Sequence, residues 1–345
     1  EAVKETGICV QTQRVREGIN GIHKTQTAAK VGIKNHGQYA IDVLFDKIAQ
    51  LHDLGVFLAQ DATKLTCPQK HGALRAISVV KEKRCGRIKG RTVADGRPQQ
   101  ALYTKDETSS PTVSNDVLML SLLIDAHEHR DVATANVAGA YLHAEMEDFT
   151  LLKMEGESVD IMCDVSPDYC QYVCIENGKK VIYLKLLKAL YGCVQSALLW
   201  YELFSSTLEK AGFELNPYDT CIANKTIDGK QCTIAWYVDD NKISHVDGKV
   251  VTHIIEKIEA GFGKMTVTRG KNHIFLGMDI LYHDDKTVSI RMIEYIKEAI
   301  VDFGEPITRT AATPAKKNLF EVDENSKALT TDGSDTFHRV VSKLL

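Results

Sequence analysis

The stretch Gln231–Val246 reads Gln-Cys-Thr-Ile-Ala-Trp-Tyr-Val-Asp-Asp-Asn-Lys-Ile-Ser-His-Val and narrows the possible folds more than any other part of the chain. Cys232, Ile234, Trp236 and Val238 share one parity, which predicts a strand with one buried face. The strand is expected to turn at Asp239 and Asp240 and return through Ile243 to Val246. Two carboxylates then stand at a hairpin tip, where like charges repel unless water or a cation neutralises them. Hard oxygen donors of this kind suit Mg²⁺. A solvated turn whose Asp side chains bond their own backbone has the same sequence, so the surrounding chain must decide.

Asp228-Gly229 separates Asp219–Thr226 from Lys230–Tyr237 and is a strong hairpin signal. A three-stranded meander would deliver Asp239 and Asp240 to its second turn. Upstream, small and β-branched residues dominate from Asp131 to Ala144, as in a buried central strand followed by a close backbone approach at Gly139. Ser114 is placed to cap an apolar helix from Asn115 to His127. A second helix starts at Ser196, with Leu199, Leu203, Phe204 and Leu208 on one face and Gly212 at its end. A third runs from Lys249 to Phe262, burying Val251, Ile254, Ile255, Ile258 and Phe262. Strands around Ile274–Tyr282 and Thr287–Arg291 join at His283-Asp284-Asp285, and Ile293, Ile296, Ile300 and Phe303 mark a last helix ending at Gly304.

Short strands are predicted at Ala76–Val80, over 86–93, and between 149 and 187 with a turn at Asn177-Gly178. Residues 1–72 carry one helical stretch (Ile41, Leu44, Phe45, Ile48, Leu51) and read as a linker or extension without chemistry. The whole is an α+β pattern, one sheet covered by helices on one face.

At 345 residues, 44% apolar and 26% charged, the chain can bury the cores of two or three subdomains, which excludes disorder and fibre. Its longest apolar run, Val117–Ile124, is about two helical turns, and no membrane span or signal-peptide core is expected. An intracellular protein follows. Nine cysteines without a repeating framework fit reduced thiols, and Cys163, Cys170 and Cys174 lack the paired spacing and histidines of a zinc site. The net charge of −4 speaks against nucleic acid as a sum, but its distribution does not. Between Lys81 and Lys105 stand eight basic residues (Lys81, Lys83, Arg84, Arg87, Lys89, Arg91, Arg97, Lys105) and two acidic ones. Such a run either holds phosphates or is a solvated basic hairpin. The chain starts at Glu1 and stops inside a helical pattern at Leu345, as a piece of a longer polypeptide would.

Several separate motifs then occur in one order: Lys188-Ala-Leu-Tyr-Gly-Cys-Val-Gln195 with Trp200, Tyr237-Val-Asp-Asp240, Phe275-Leu-Gly-Met278, and Thr313-Pro314 followed by Phe337-His-Arg339. Together, from about Ala73 to Leu345, they resemble the reverse transcriptases of copia-type long-terminal-repeat retrotransposons. The resemblance implies a right-hand polymerase with an antiparallel palm sheet backed by helices. Fingers would occupy 73–130, a palm motif strand 131–148, connecting strands of the fingers 149–187, the palm with its catalytic hairpin 188–283, and a thumb or connection 284–345.

It also implies two-metal nucleotidyl transfer with Mg²⁺ or Mn²⁺, acting on an RNA or DNA template-primer and deoxynucleoside triphosphates. Asp239 and Asp240 would hold the metal, Lys89 and Arg91 the triphosphate; Tyr141 would lie beneath the incoming sugar and Gln195 beneath the template or nucleotide. Phe275, Leu276 and Gly277 resemble a primer-gripping hairpin, although an apolar hairpin is equally a core element. Trp200 reads as helix core, and His143, His245 and His253 lack a partner pattern. No ribonuclease H, integrase or protease signature is present, so such activities would lie elsewhere in a polyprotein.

At one position the chain departs from the pattern. Five residues before Tyr141, where the resemblance implies a third metal-binding Asp, stands Asn136. An amide keeps a donor oxygen and removes a negative charge from a site that must gather dications and a triphosphate. Asp131 is no substitute: it lies about 16 Å away along the strand, at about 3.3 Å per residue, and points to the other face. The expected function is a reverse transcriptase impaired at this ligand, or alternatively an inactive remnant that still binds template-primer.

Overall fold

Alternation in Lys230–Tyr237 sends Cys232, Ile234 and Trp236 to one side of a sheet and Thr233 and Ala235 to the other. The computed structural model describes residues 27–82, 87–304, 306, 312–313, 321 and 325–344. In it this strand belongs to a six-stranded antiparallel sheet in the order Thr266–Arg269, Asp131–Asn136, Asp240–His245, Lys230–Tyr237, Ile222–Ile227, Glu214–Leu215. The expected three-stranded meander is thus the middle of a larger sheet. Asp228 (φ 50°) and Gly229 (φ 71°) make the tight turn that their sequence specifies.

The Trp236 face packs on the helix Ser196–Lys210, with the Trp236 ring 5.5 Å from Phe204 and 6.3 Å from Tyr201. Phe262, at the end of the helix Gly248–Phe262, lies 5.1 Å from Trp200. That helix buries Val251, Ile254, Ile255, Ile258 and Phe262, the face its spacing predicts. Burying a side chain of this kind stabilises by roughly 1.5–3 kcal/mol.

Burial on the opposite face corrects the expectation of a sheet covered on one side. Thr233 and Ala235 are buried too, and Lys242, the register partner of Ala235, is 0% exposed. Its ammonium pairs with Asp125 on the helix Asn115–His127, which Ser114 caps by accepting from the Val117 amide. Asp125 also accepts from the Tyr282 hydroxyl at 3.3 Å and lies 3.8 Å from Arg130. A lysine in mid-strand reads as solvent-facing; here a partner on another element makes its burial tolerable.

Residues 27–72 are no linker. The helix Gln38–Asp53 buries Ala40, Leu44, Ile48 and Leu51, with Phe45 turned outward. Its core also takes in Leu152, Ile182 and Leu184 from a second, seven-stranded sheet. That sheet runs Thr27–Ala28, Leu74–Glu82, Leu151–Glu155, Lys179–Leu186, Phe57–Gln60, with Ile88–Ala94 paired to Leu74–Glu82 and Cys174–Glu176 to Lys179–Leu186. Asn177 (φ 50°) and Gly178 (φ 74°) form the predicted turn, and a helix Glu157–Val165 lies where only strands were expected.

The stretch expected as one strand, Ile274–Tyr282, is itself a hairpin of Asn272–Phe275 and Met278–Tyr282. Leu276 (φ 49°) and Gly277 (φ 77°) reverse the chain between them. With Val288–Arg291 they form a third sheet.

The described residues from Arg291 onward group apart from Lys24–Ile290. Among them Lys343, on the helix Thr331–Leu344, lies 2.7 Å from Asp302 on the helix Ile293–Phe303. Ile293, Ile296 and Phe303 are exposed while Ala299 is buried, so the apolar stripe of this helix is only partly covered among the described residues. Lys83, Arg84 and Pro314 lie outside the described residues. Among the described residues no helix is long and apolar enough to cross a membrane. The fold is α+β, with an antiparallel sheet backed by helices.

Asp125→Ala would leave the Lys242 ammonium buried without its carboxylate. Its expected cost is about 3–5 kcal/mol, read as a lower urea midpoint, and Asp125→Leu with Lys242→Met should recover most of it.

Candidate functional site

Tyr237 pairs with Asp240, so the two-residue turn is Val238-Asp239 and Asp240 already belongs to the returning strand. This shifts the expected turn by one residue. Val238 takes φ 54°, a left-handed conformation that costs a β-branched residue about 1–3 kcal/mol. Three hydrogen bonds hold it there. The Val238 carbonyl accepts from Trp200 Nε1 at 2.7 Å, and the Asp239 carbonyl accepts from the Val137 amide at 2.9 Å and Asn241 Nδ2 at 3.1 Å. Trp200 is therefore core, as expected, and also fixes the tip.

Asn136 ends the strand Asp131–Asn136 and is the register partner of Asp240. Its Nδ2 donates to Asp239 Oδ2 and to Asp240 Oδ1, each at 3.0 Å. One amide nitrogen thus stands between two carboxylates. Burial first, and repulsion from Asp239 in addition, raise the Asp240 carboxyl above its ordinary 3.8 against the pull of the Asn136 bond. Among the described residues no group of three or more His, Cys, Asp or Glu side chains is arranged to hold a metal ion. The donor set is two carboxylates and an amide that presents its N–H groups to them, which does not fit two ions bridged by shared carboxylates.

Gly139 (φ 68°) turns the chain after this strand and brings Tyr141 back toward the tip; the nearest obstacle to a Cβ there is the Leu142 side chain, so the glycine answers the turn rather than a backbone approach. The Tyr141 ring lies 4.6 Å from that of Tyr191 at 39°. Burial and the Asp239 charge raise both phenols, Tyr191 to about 12. Arg91 acts on Tyr191 in the opposite sense, which places the basic strand Ile88–Ala94 beside the same corner. The Ala94 amide donates to the Tyr191 carbonyl at 2.8 Å, and a Cβ at Gly192 would stand 2.0 Å from the Ala94 carbonyl oxygen. Lys89 and Arg91 are exposed.

Gln195 is set apart from the carboxylate pair by its own bonds: Nε2 donates to Asp148 Oδ2 at 3.2 Å, and the Tyr103 hydroxyl donates to the same oxygen at 2.9 Å. Phe275 is 2% exposed, so it anchors its hairpin while Leu276 and Gly277 form the tip. That hairpin is tied to the site strand, His273 Nδ1 lying 3.2 Å from Thr134 Oγ1. His143 packs on Phe262 at 5.5 Å and His245 is buried; neither stands with a metal-binding group. Sequence reading missed the Trp200 bond, which only a tip with positive φ calls for, and Lys47, which feels the charges of Lys89 and Arg91 from a segment judged to hold no chemistry.

The raised Asp240 carboxyl makes a signed prediction. The unfolded chain releases this proton near 3.8 and the folded chain releases it later, so the folded state loses stability as the pH rises from 3.8 through the raised value. Asp240→Asn removes that loss. Its stability relative to the parent should therefore increase over this interval and stay level above it, in urea titrations run from below 3.8 to neutrality.

Comparison with known proteins follows the same residues. The family model described as reverse transcriptase (RNA-dependent DNA polymerase) matches residues 63–317. The chain is similar to the Transposon Ty1-DR4 Gag-Pol polyprotein of Saccharomyces cerevisiae, 24% identical over 267 residues, covering 73% of this chain and 15% of that polyprotein. To the Ty1-BR Gag-Pol polyprotein of the same yeast it is 25% identical over 256 residues, covering 72% and 13%. A foamy viral protease-reverse transcriptase structure, in complex with ds DNA, is similar at a TM-score of 0.44 and 14% identity, covering 85% of this chain and 46% of that one. The chain thus spans only about 15% of the length of the yeast relatives. With the family model covering most of its length, the chain belongs to the reverse transcriptase (RNA-dependent DNA polymerase) family, as a domain of the copia type of retrotransposon polyprotein.

Proposed function

We propose that this domain binds template-primer and deoxynucleoside triphosphates as a reverse transcriptase does, and that Asn136 impairs its nucleotidyl transfer. The observation that carries the reading is the Asn136 amide nitrogen, 3.0 Å from a carboxylate oxygen of both Asp239 and Asp240. Mg²⁺ or Mn²⁺ is the cation the resemblance calls for, and the Asp239–Asp240 pair is one carboxylate short of the set that would hold it.

The remaining residues are suited to binding. Tyr141, packed against Tyr191 at a tilt, offers a ring beneath a nucleotide sugar, and Lys89 and Arg91 offer charge to its phosphates. Gln195 is held by Asp148, and Leu276 and Gly277, at the tip of their hairpin, are the residues we assign to the primer. In these terms 73–130 and 149–187 are fingers, 131–148 and 188–283 palm, and 284–345 thumb or connection. A second reading, a remnant that binds template-primer without extending it, draws on the same amide between the carboxylates.

Primer extension on a ribonucleotide template, with Mg²⁺ or Mn²⁺, separates the two. The parent should stay near an Asp239→Ala blank, and Asn136→Asp should raise synthesis by about a hundredfold or more, the equivalent of about 2.7 kcal/mol at 1.36 kcal/mol per decade. Extension by the parent well above its blank would sink the proposed role of Asn136. Salt-dependent duplex binding by both proteins with extension by neither would favour the remnant.

A further inference from the structure

The helix Asn115–His127 is apolar on both sides, and the chain covers only one of them. Leu118, Leu122 and Asp125 are buried, Asp125 against Lys242. The opposite line of the helix runs Asp116, Leu120, Leu123, His127, and all four side chains are exposed, each leucine by 57%. Met119 and Ile124 flank this line, half-buried. A helix that is apolar all round is ordinarily covered all round. Among the described residues neither the Asp116 nor the His127 side chain makes a hydrogen bond or an ion pair.

The exposed line is complementary to itself. Asp116 and His127, Leu120 and Leu123, and Met119 and Ile124 are three pairs, each centred on the midpoint between Ser121 and Leu122. A twofold axis at that midpoint lays a second copy of the helix antiparallel on the first, apolar line against apolar line. It sets Leu120 level with the partner's Leu123 and Asp116 level with the partner's His127, with Met119 and Ile124 on the flanks. The acid and the histidine stand about 16 Å apart along each helix, at about 1.5 Å per residue, so each end of the pair brings a carboxylate acceptor to an imidazole donor. A parallel arrangement would set carboxylate beside carboxylate, and the charges therefore select the antiparallel one.

We propose that the outer face of the helix Asn115–His127 docks on the same face of a second copy of this chain, in an antiparallel contact about a twofold axis. Such a contact requires one patch to complement itself, and a line with an acid at one end, a histidine at the other and leucines between meets that condition. A partner of unrelated sequence would call for no such symmetry. The helix has 13 residues, about 20 Å at about 1.5 Å per residue, so the contact is small and the dimer forms weakly, in the micromolar range or above.

The test is sedimentation equilibrium of the full chain, without nucleic acid and from low micromolar concentration upward, on the parent, Leu123→Glu, Asp116→Lys, His127→Glu and the exchange Asp116→Lys with His127→Glu. The parent should pass from monomer to dimer as its concentration rises, and Leu123→Glu should weaken the dimer about tenfold or more by placing a charge in the apolar line. Each single charge change should weaken it about threefold, and the exchange should return it to within about twofold of the parent, because it restores an opposite pair at both ends. At dilution the variants should melt with the parent, since the substituted side chains are exposed. Should Leu123→Glu melt lower, the exchange decides alone, because it leaves the apolar line intact. A parent that stays monomeric at every concentration overturns the proposal, as does a Leu123→Glu variant that folds and dimerises like the parent. An exchange that fails to recover what the single changes lose also overturns it, because the copies then meet elsewhere or in another register.

Discussion

Two carboxylates on consecutive residues at the end of a hairpin are an arrangement that a folded chain has to restrain. Asp239 lies in the turn and Asp240 in the strand, so their backbones are held differently, and a half-buried Asp240 resists ionisation. Restraint comes from three directions: Trp200 on the Val238 carbonyl, Val137 and Asn241 on the Asp239 carbonyl, and Asn136 on both side chains. The donors come from the helix Ser196–Lys210, from the end of the strand Asp131–Asn136 and from the hairpin itself. The aromatic packing of Trp200, Phe204, Phe262 and Trp236 therefore does more than fill a core, because it sets the position of the indole N–H that holds a strained turn.

The second restraint is the buried charge beneath the sheet. Lys242 follows Asp240 by two residues, on the same face, and is matched by Asp125. Tyr282 reaches the same carboxylate from the hairpin that carries Leu276 and Gly277, while His273 of that hairpin contacts Thr134 in the site strand. Polar links of this kind add little to stability when compared with apolar packing, yet removing one partner is costly. They tie that hairpin to the helix Asn115–His127 and to the strand Asp131–Asn136.

What was legible in the sequence is what local chemistry decides. Asp228-Gly229 and Asn177-Gly178 specify turns with positive φ, and the apolar spacing of Lys249–Phe262 specifies which face of a helix is buried; both are found. Asp239 and Asp240 could be read from their own hairpin, whereas Asn136, over a hundred positions earlier, was singled out only by the resemblance, five residues before Tyr141. Burial on both faces of the sheet could not be read, since Lys242 becomes a core residue only through Asp125, more than a hundred positions earlier. The turn at Leu276-Gly277 could not be read from the apolar pattern, which runs on as one strand, and came only from the resemblance of Phe275, Leu276 and Gly277 to a hairpin.

On the proposed reading, Asn136 changes the electrostatics of the site without changing its shape. Asn and Asp are nearly isosteric, so the strand, its register with Asp240 and the turn at Gly139 need not move. What changes is sign. A third carboxylate at this position would add repulsion to a pair already partly desolvated, and only a cation would offset it. The amide replaces that repulsion with two donated hydrogen bonds, each to a charged acceptor and so stronger than a neutral one. Sites that gather like charge are destabilised for the sake of what they bind, and relieving the charge favours the fold over the chemistry. The geometry at Asn136 is the form such relief takes: the fold keeps its sheet, its strained tip and its aromatic support, while the group that would call for a cation has become the one that replaces it.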